Sequence, residues 1–250
     1  MPRGPREKSE SGIYHVMLRG IDKRKIFLSD EDCEKFLDNV EKAMEKSEFT
    51  IYGYCLMGNH VHLLIKTGTE DIGDTVKRIA VGYVQYFNIK YGRTGHLFQN
   101  RFRSEPVDDD LYFRTVLRYI HQNPVKAGIV KKLSDYKWSS YREYFMNKNR
   151  LIDTSLAMEY FGGRETFEKY MMEENDDECL EYRENIRYTD DELKEVISSF
   201  TDISELKNLD KKSRDEILKA IKENTNVSNR QLSRVLGINR NIIDNIKYHK

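Results

Sequence analysis

The sequence predicts an α+β fold, an antiparallel sheet with helices on one face, followed by an all-α C-terminal region. Three observations predict it. Short β-branched and aromatic runs alternate with segments of helical period through the first half of the chain. Two of the runs are parted only by the turn pair Gly58-Asn59, which makes them a hairpin and rules out a purely parallel sheet. After Trp138-Ser139-Ser140-Tyr141 the strand signals fade and helical ones continue.

The elements follow in order. Ile13 to Leu18 reads as a strand. Asp30 to Glu45 reads as a helix that Ser29 or Asp30 can cap, with Phe36, Val40 and Met44 at helical spacing. Phe49 to Met57 and His60 to Lys66 are the hairpin strands. Asp71 to Ile89 is a long helix with Ile72, Val76, Ile79, Tyr83 and Tyr86 on one stripe. Gly92 to Gly95 breaks the chain, and Leu97 to Val107 is extended. Asp110 to Gln122 is a helix that Pro124 should stop, with Phe113, Val116, Leu117 and Ile120 facing the core. Residues 153–223 look helical, with an acidic break at Glu173 to Glu178. Ser228 to Ile243 reads as helix, glycine turn at Gly237, helix. The expected division is 1–147, an acidic helical spacer at 148–210, and a module at 211–250.

Bulk composition narrows the class. The 250 residues carry 42 basic and 42 acidic side chains, so the formal charge is zero. The charge is segregated: residues 1–150 are net +6, 151–210 net −12 and 211–250 net +6. Two basic segments suit a polyanion and the acidic one does not, although uneven surface charge alone would look the same. Cys33, Cys55 and Cys179 form no close-spaced metal pattern and fit a reduced cytoplasm. The charged, Pro/Gly-bearing start is unlike a signal peptide, and no apolar run is long enough for a membrane span. The expected location is the cytoplasm.

Two clusters carry chemistry. In a strand, His60, His62 and Leu64 share one face, and Val61, Leu63 and Ile65 the other. Imidazoles at i and i+2 lie roughly 7 Å apart at Cα, within reach of one ion. Alone this is weak, because two solvated side chains on a half-exposed strand look the same. On the later helix Tyr119 and Asn123 are neighbours at i and i+4. Asn123 offers a carbonyl oxygen suited to Mg²⁺ or Mn²⁺, and Tyr119 a phenol able to attack phosphorus. Pro124 biases Asn123 toward the helix end. On this helix alone, Tyr119 could as well be a packing residue.

Together these residues resemble the single-tyrosine HUH endonucleases. His60-Val61-His62 is similar to their His-hydrophobic-His motif, and Tyr119-Ile120-His121-Gln122-Asn123-Pro124-Val125-Lys126-Ala127-Gly128 to the catalytic helix of their transposase branch, the REP-associated tyrosine transposases most of all. Tyr14-His15-Val16 with Arg19-Gly20, Leu56-Met57-Gly58-Asn59, Gly95 to Phe102, and Trp138 to Tyr141 agree, over roughly residues 10–145. Two departures stand out. Asn123 replaces the Gln usual in insertion-sequence members, and Met57-Gly58-Asn59 replaces Met-Pro-Asn.

The resemblance implies a ferredoxin-like α+β fold. It implies a divalent ion, Mg²⁺ or Mn²⁺, held by His60, His62 and Asn123, with Tyr119 as nucleophile and no nucleotide cofactor. The implied chemistry nicks and rejoins single-stranded DNA beside hairpins through a 5′-phosphotyrosine and a free 3′-hydroxyl. A homodimer is left open.

The C-terminal stretch resembles a helix-turn-helix, with Leu232, Val235, Leu236, Ile238 and Ile242 as its core and Asn239, Arg240, Asn241 and Asn245 on the outer start of the second helix. A small docking bundle would read alike. Among the basic residues Arg3, Arg6, Arg19, Lys23, Arg24, Lys25, Arg101, Arg103 and Lys126, those held as DNA contacts are Arg19, Arg101, Arg103 and Lys126, with Arg240 in the tail. His15, His96 and His121 rank below His60 and His62 as ligands. The alternatives are a catalytically idle DNA-binding regulator of the same descent, and a zinc-stabilised domain, which would want four N/S ligands.

Overall fold

A computed structural model describes residues 6–146, 149–177, 179–180, 188–198, 201, 203, 206, 209–225 and 227–244. Arg3, Glu178 and Asn245, singled out in the sequence, lie outside them. The chain divides into two compact units, Met1–Glu181 and Tyr182–Lys250.

The first unit is built on four antiparallel strands in the order β2-β3-β1-β4: β1 Ile13–Arg19, β2 Thr50–Met57, β3 His60–Lys66 and β4 Arg103–Pro106. The α+β class with an antiparallel sheet is as predicted. The extended stretch expected from Leu97 to Val107 narrows to the short β4, with one further bridge between Phe98 and Gly20. The hairpin turn is Gly58-Asn59, but neither residue takes a positive φ, so it is not a mirror-image turn of the kind such pairs favour. Tethers from outside hold it instead: Ile26 and Phe27 N–H donate to the Gly58 carbonyl, and Gly20 N–H donates to the Asn59 carbonyl.

Three long helices complete the unit. In α1 (Asp30–Ser47) the buried Asp32 carboxylate accepts the Leu28 and Ser29 N–H groups at the helix entry. α2 (Ile72–Lys90) starts at Asp71, whose carboxylate accepts from Gly73 and Asp74 N–H, and α3 (Asp110–Lys126) at Asp109, which accepts from Tyr112 N–H. Phe36, Val40, Val76 and Ile79 share one core with Val16, Leu18, Val61, Leu63 and Ile65, the sheet face turned away from the histidines. α1 and α2 thus supply the helices expected on one face. α3 covers the other, because its Tyr119 and Leu117 meet His62 and the Gly53 position there.

Pro124 does not end α3. The helix runs to Lys126 and closes at Gly128, whose φ is +68°, with Gly128 N–H bonded to the Val125 carbonyl and Ile129 N–H to that of Pro124. Proline removes one N–H bond and its ring crowds the carbonyl one turn back, and here both effects fall in the last turn, where little helix follows. Asn123 is therefore inside the helix rather than at its end.

The acidic region expected as one spacer is shared between the units. α4 (Ser155–Phe161) and α5 (Arg164–Met172) bury Ala157, Phe161, Phe167 and Met171 in the first core. α6 (Asp190–Ser198) gives Leu193 and Ile197 to the second, with α7 (Lys211–Thr225), α8 (Asn229–Leu236) and α9 (Arg240–Asp244). There Ser228 caps α8, and Gly237 turns the chain with φ +61°. Ile243 rather than Ile242 is the fully buried isoleucine of α9. All three cysteines are free and buried, and no helix among the described residues is long and apolar enough to cross a membrane.

Candidate active site

β3 puts His60 and His62 on one face, with ring centroids 5.0 Å apart and their planes nearly perpendicular. α3 lies across that face and brings Tyr119 to 5.5 Å from the His62 ring. One turn on, Asn123 Oδ1 stands 3.4 Å from His60 Nε2. Tyr119, His60, His62 and Asn123 therefore converge, although 63 residues separate His60 from Asn123. Gly53 permits the approach: a Cβ there would stand 2.5 Å from Leu117 Cδ1. Tyr119 is 4% exposed and His62 1%, while His60 and Asn123 are half-buried.

Hydrogen bonds fix the rings. Asn59 Nδ2 donates to the Lys23 carbonyl, which turns Asn59 Oδ1 toward His60 Nδ1 at 2.7 Å. Oδ1 can only accept, so His60 Nδ1 carries a proton. Nε2 faces the Asn123 carbonyl oxygen Oδ1, and a ring holding only the Nδ1 proton would offer an ion a lone pair beside that oxygen. His62 Nδ1 is 2.9 Å from His15 Nε2, and His15 Nδ1 is 2.8 Å from Glu105 Oε1. Burial, and then the neighbouring His15 and His60, hold His62 well below the usual histidine range, so its ring is neutral. Two imidazoles and a carboxamide oxygen fit a divalent ion that accepts mixed nitrogen and oxygen donors. Among the described residues no group of three or more His, Cys, Asp or Glu side chains is placed to hold a metal.

Glu105 ties together more of the surroundings. It accepts from His15, from the Tyr112 hydroxyl and from Leu180 N–H. Burial would raise its carboxyl, but those donors outweigh burial and hold it below the usual carboxylate value. Burial and then the Glu105 charge push the Tyr112 phenol up. Its hydroxyl is committed to Glu105. Sequence spacing did not point to Glu105 or Asn59, and His15 ranked below the strand pair. Only the pairing of β1 with β3 and β4 reveals them, with His15 opposite both Leu64 and Glu105.

The basic residues separate by position. Arg19 lies opposite His60 in the ladder, and Arg103 opposite Met17, itself opposite His62, so both share the histidine face. Arg101 is exposed just before β4. Lys126 ends α3 with its ammonium on Asn175 Oδ1 at 2.9 Å. Arg240 belongs to the second unit, where it pairs with Asp244 at 3.3 Å. His121 is not at the site; its Nε2 meets the Ser140 hydroxyl at 2.9 Å in an aromatic cluster.

Comparison with known proteins adds an independent line. A Haemophilus influenzae protein assigned to the REP-associated tyrosine transposases is 28% identical over 149 residues, which cover 54% of this chain and 83% of that protein. A solved REP-associated tyrosine transposase bound to a REP hairpin aligns with a TM-score of 0.51 at 20% identity, over 62% of this chain and 96% of its own, a likeness of fold. A crystal structure of a transposase-like protein from Deinococcus radiodurans aligns with a TM-score of 0.34 at 19% identity, over 49% of this chain and 97% of its own. Residues 8–123, which hold the whole histidine–tyrosine–asparagine cluster, match the family described as Transposase IS200 like. Over residues 8–123 the first unit of this chain is thus similar to the IS200-like transposases.

Proposed function

We propose that this chain is a metal-dependent endonuclease and strand transferase for single-stranded DNA beside hairpins, with Tyr119 as nucleophile. The observation that carries the proposal is the convergence of the Tyr119 phenol with two histidine rings and the Asn123 oxygen on one sheet face. A divalent ion held by His60, His62 and Asn123 would polarise the non-bridging oxygens of the bound phosphate. Tyr119 Oη then forms a bond to phosphorus as the P–O3′ bond breaks. The phenol gives up its proton and the departing 3′-oxygen takes one up, leaving a 5′-phosphotyrosine and a 3′-hydroxyl. Attack by a 3′-hydroxyl reverses these bonds and rejoins strands, with no nucleotide consumed.

Arg19, Arg101 and Arg103, on or beside the histidine face, suit the phosphates of the flanking strand, and Lys126 the end nearest Asn123. The hairpin seen with the solved relative supports hairpin DNA as the target here. We assign the second unit a helix-turn-helix role on duplex DNA, with Arg240 as a phosphate contact. The test is to incubate the protein with hairpin-forming single strands from the DNA flanking its gene, with Mn²⁺ or with EDTA. A covalent protein–DNA band with Mn²⁺ that EDTA abolishes is expected. In His60→Ala the band should vanish while hairpin binding stays within about threefold, since most affinity comes from phosphate contacts. A band of equal strength in EDTA would contradict metal dependence.

A further inference from the structure

Behind the two histidines of β3 lies a second pair of side chains that the proposed reaction does not touch. His15 is wholly buried between His62 and Glu105, with its two nitrogens 2.9 Å and 2.8 Å from their respective partners. The His15 and His62 rings stack at 5.2 Å, and His15 also meets the Tyr119 ring edge-on at 5.9 Å. Strand order creates this row. β1 lies between β3 and β4, so one residue from each of three adjacent strands lines up across the sheet.

The row has a direction. An ionised carboxylate can only accept, so His15 donates from Nδ1 to Glu105. Where that is the ring's one proton, His15 Nε2 is a lone pair and accepts from His62 Nδ1–H. The remaining nitrogen of His62, Nε2, is thereby left without a proton. Asn59 likewise holds a proton on His60 Nδ1. Left to itself in water, a neutral imidazole can carry its proton on either nitrogen. The wrong choice at His62 would turn a donor N–H, instead of a lone pair, toward an ion.

We propose that Glu105 and His15 are positioning residues that hold His62 in its Nδ1-protonated form, so that Nε2 is preset to ligate the divalent ion. The inference rests on the proposed metal-dependent reading of the site. Carboxylate and histidine partners behind a ligating imidazole both orient the ring and raise its basicity, and losing one costs metal affinity about 10- to 100-fold. His15→Phe keeps a flat ring of similar size and removes both nitrogens. It should therefore weaken Mn²⁺ binding by about 10- to 100-fold.

The test has two readouts on the full chain. Two-bond ¹H–¹⁵N correlation on the metal-free protein, with ¹⁵N-labelled histidine and the six rings assigned by single substitutions, reports which nitrogen of His62 is protonated. Nδ1–H at both His62 and His15 is expected; Nε2–H at His62 overturns the proposal, whatever becomes of the variant. Calorimetric titration with Mn²⁺ then compares the wild type with His15→Phe. Wild-type binding with an unchanged affinity in a folded His15→Phe overturns the positioning role and leaves the metal site standing. No binding of Mn²⁺ by the wild type overturns both.

Discussion

Two buried histidines in this domain differ in what surrounds them. His62 lies among hydrogen-bonding rings and a phenol, whereas His121 sits against Tyr141, Tyr144 and Phe167 with the Ser140 hydroxyl on Nε2. Burial pushes His121 from the ordinary 6.5 down to about 3. The folded state thus refuses a proton that the unfolded chain accepts. Stability from this site is complete above about pH 6.5 and is lost as pH falls toward about 3, with a limiting slope of about 1.4 kcal/mol per pH unit. His62 acts in the same direction. Urea unfolding between pH 7.5 and 4.5 should show that loss, and His121→Gln should make it shallower. An identical slope in the variant would mean that His121 takes up its proton in the fold. At this scale the sequence made His60, His62, Tyr119 and Asn123 legible, because strand period two and helix period 3.6 act over a few residues. Glu105 and His15 were not legible, because 90 residues separate them and only strand pairing makes them neighbours.

Among the elements, α3 decides whether there is a site. Its expected apolar face, Phe113, Val116, Leu117 and Ile120, is fully buried, yet Arg118, Tyr119, His121 and Gln122 are buried too. Arg118 is pinned by Glu173 and Asp177, and the Gln122 amide donates to the Met171 and Glu173 carbonyls, so the chain after α5 covers the helix's outer side. Periodicity finds the face that meets the sheet but not a second cover arriving from residues 171–177. Nor does it mark Gly53 as the point of closest approach. Gly53→Val should force Leu117 away and lift α3, costing about 1–3 kcal/mol of unfolding free energy. Covalent adduct formation should fall with it, because Tyr119 and Asn123 ride on the same helix. Wild-type stability in a urea titration of this variant would show that the helix has room to spare. The misjudged end of α3 has a comparable cause: the Pro124 rule concerns helix interiors, and Gly128 supplies the actual stop.

Over the whole molecule, the charge pattern and the cores divide the chain at different places. The net −12 of residues 151–210 suggested one spacer, but α4 and α5 belong to the first core and α6 to the second. Phe167 stacks on Tyr144 at 4.4 Å, a contact no composition profile reveals. A chain ending at residue 181 should therefore unfold cooperatively and still form the covalent adduct, while one ending at 146 should be markedly less stable. Equal stability of the two would mean that α4 and α5 are dispensable to the first core. In the second unit, Arg234 is held by Asp190 through two bonds at 2.5 and 2.6 Å, which leaves Arg240 the better phosphate contact despite its pairing with Asp244. Arg240→Gln should weaken duplex binding and reduce the slope of log affinity against log salt by about one. An unchanged slope would remove Arg240 from the interface.

The central claim is that Tyr119 becomes joined to DNA, and peptide mapping of the covalent product tests it most directly. After reaction with a hairpin single strand and Mn²⁺, nuclease trimming and proteolysis, mass spectrometry should place a 5′-linked nucleotide on the peptide holding Tyr119. A folded, hairpin-binding Tyr119→Phe should give no adduct. A nucleotide on Tyr112 or any other residue, or an adduct surviving in Tyr119→Phe, would contradict the account.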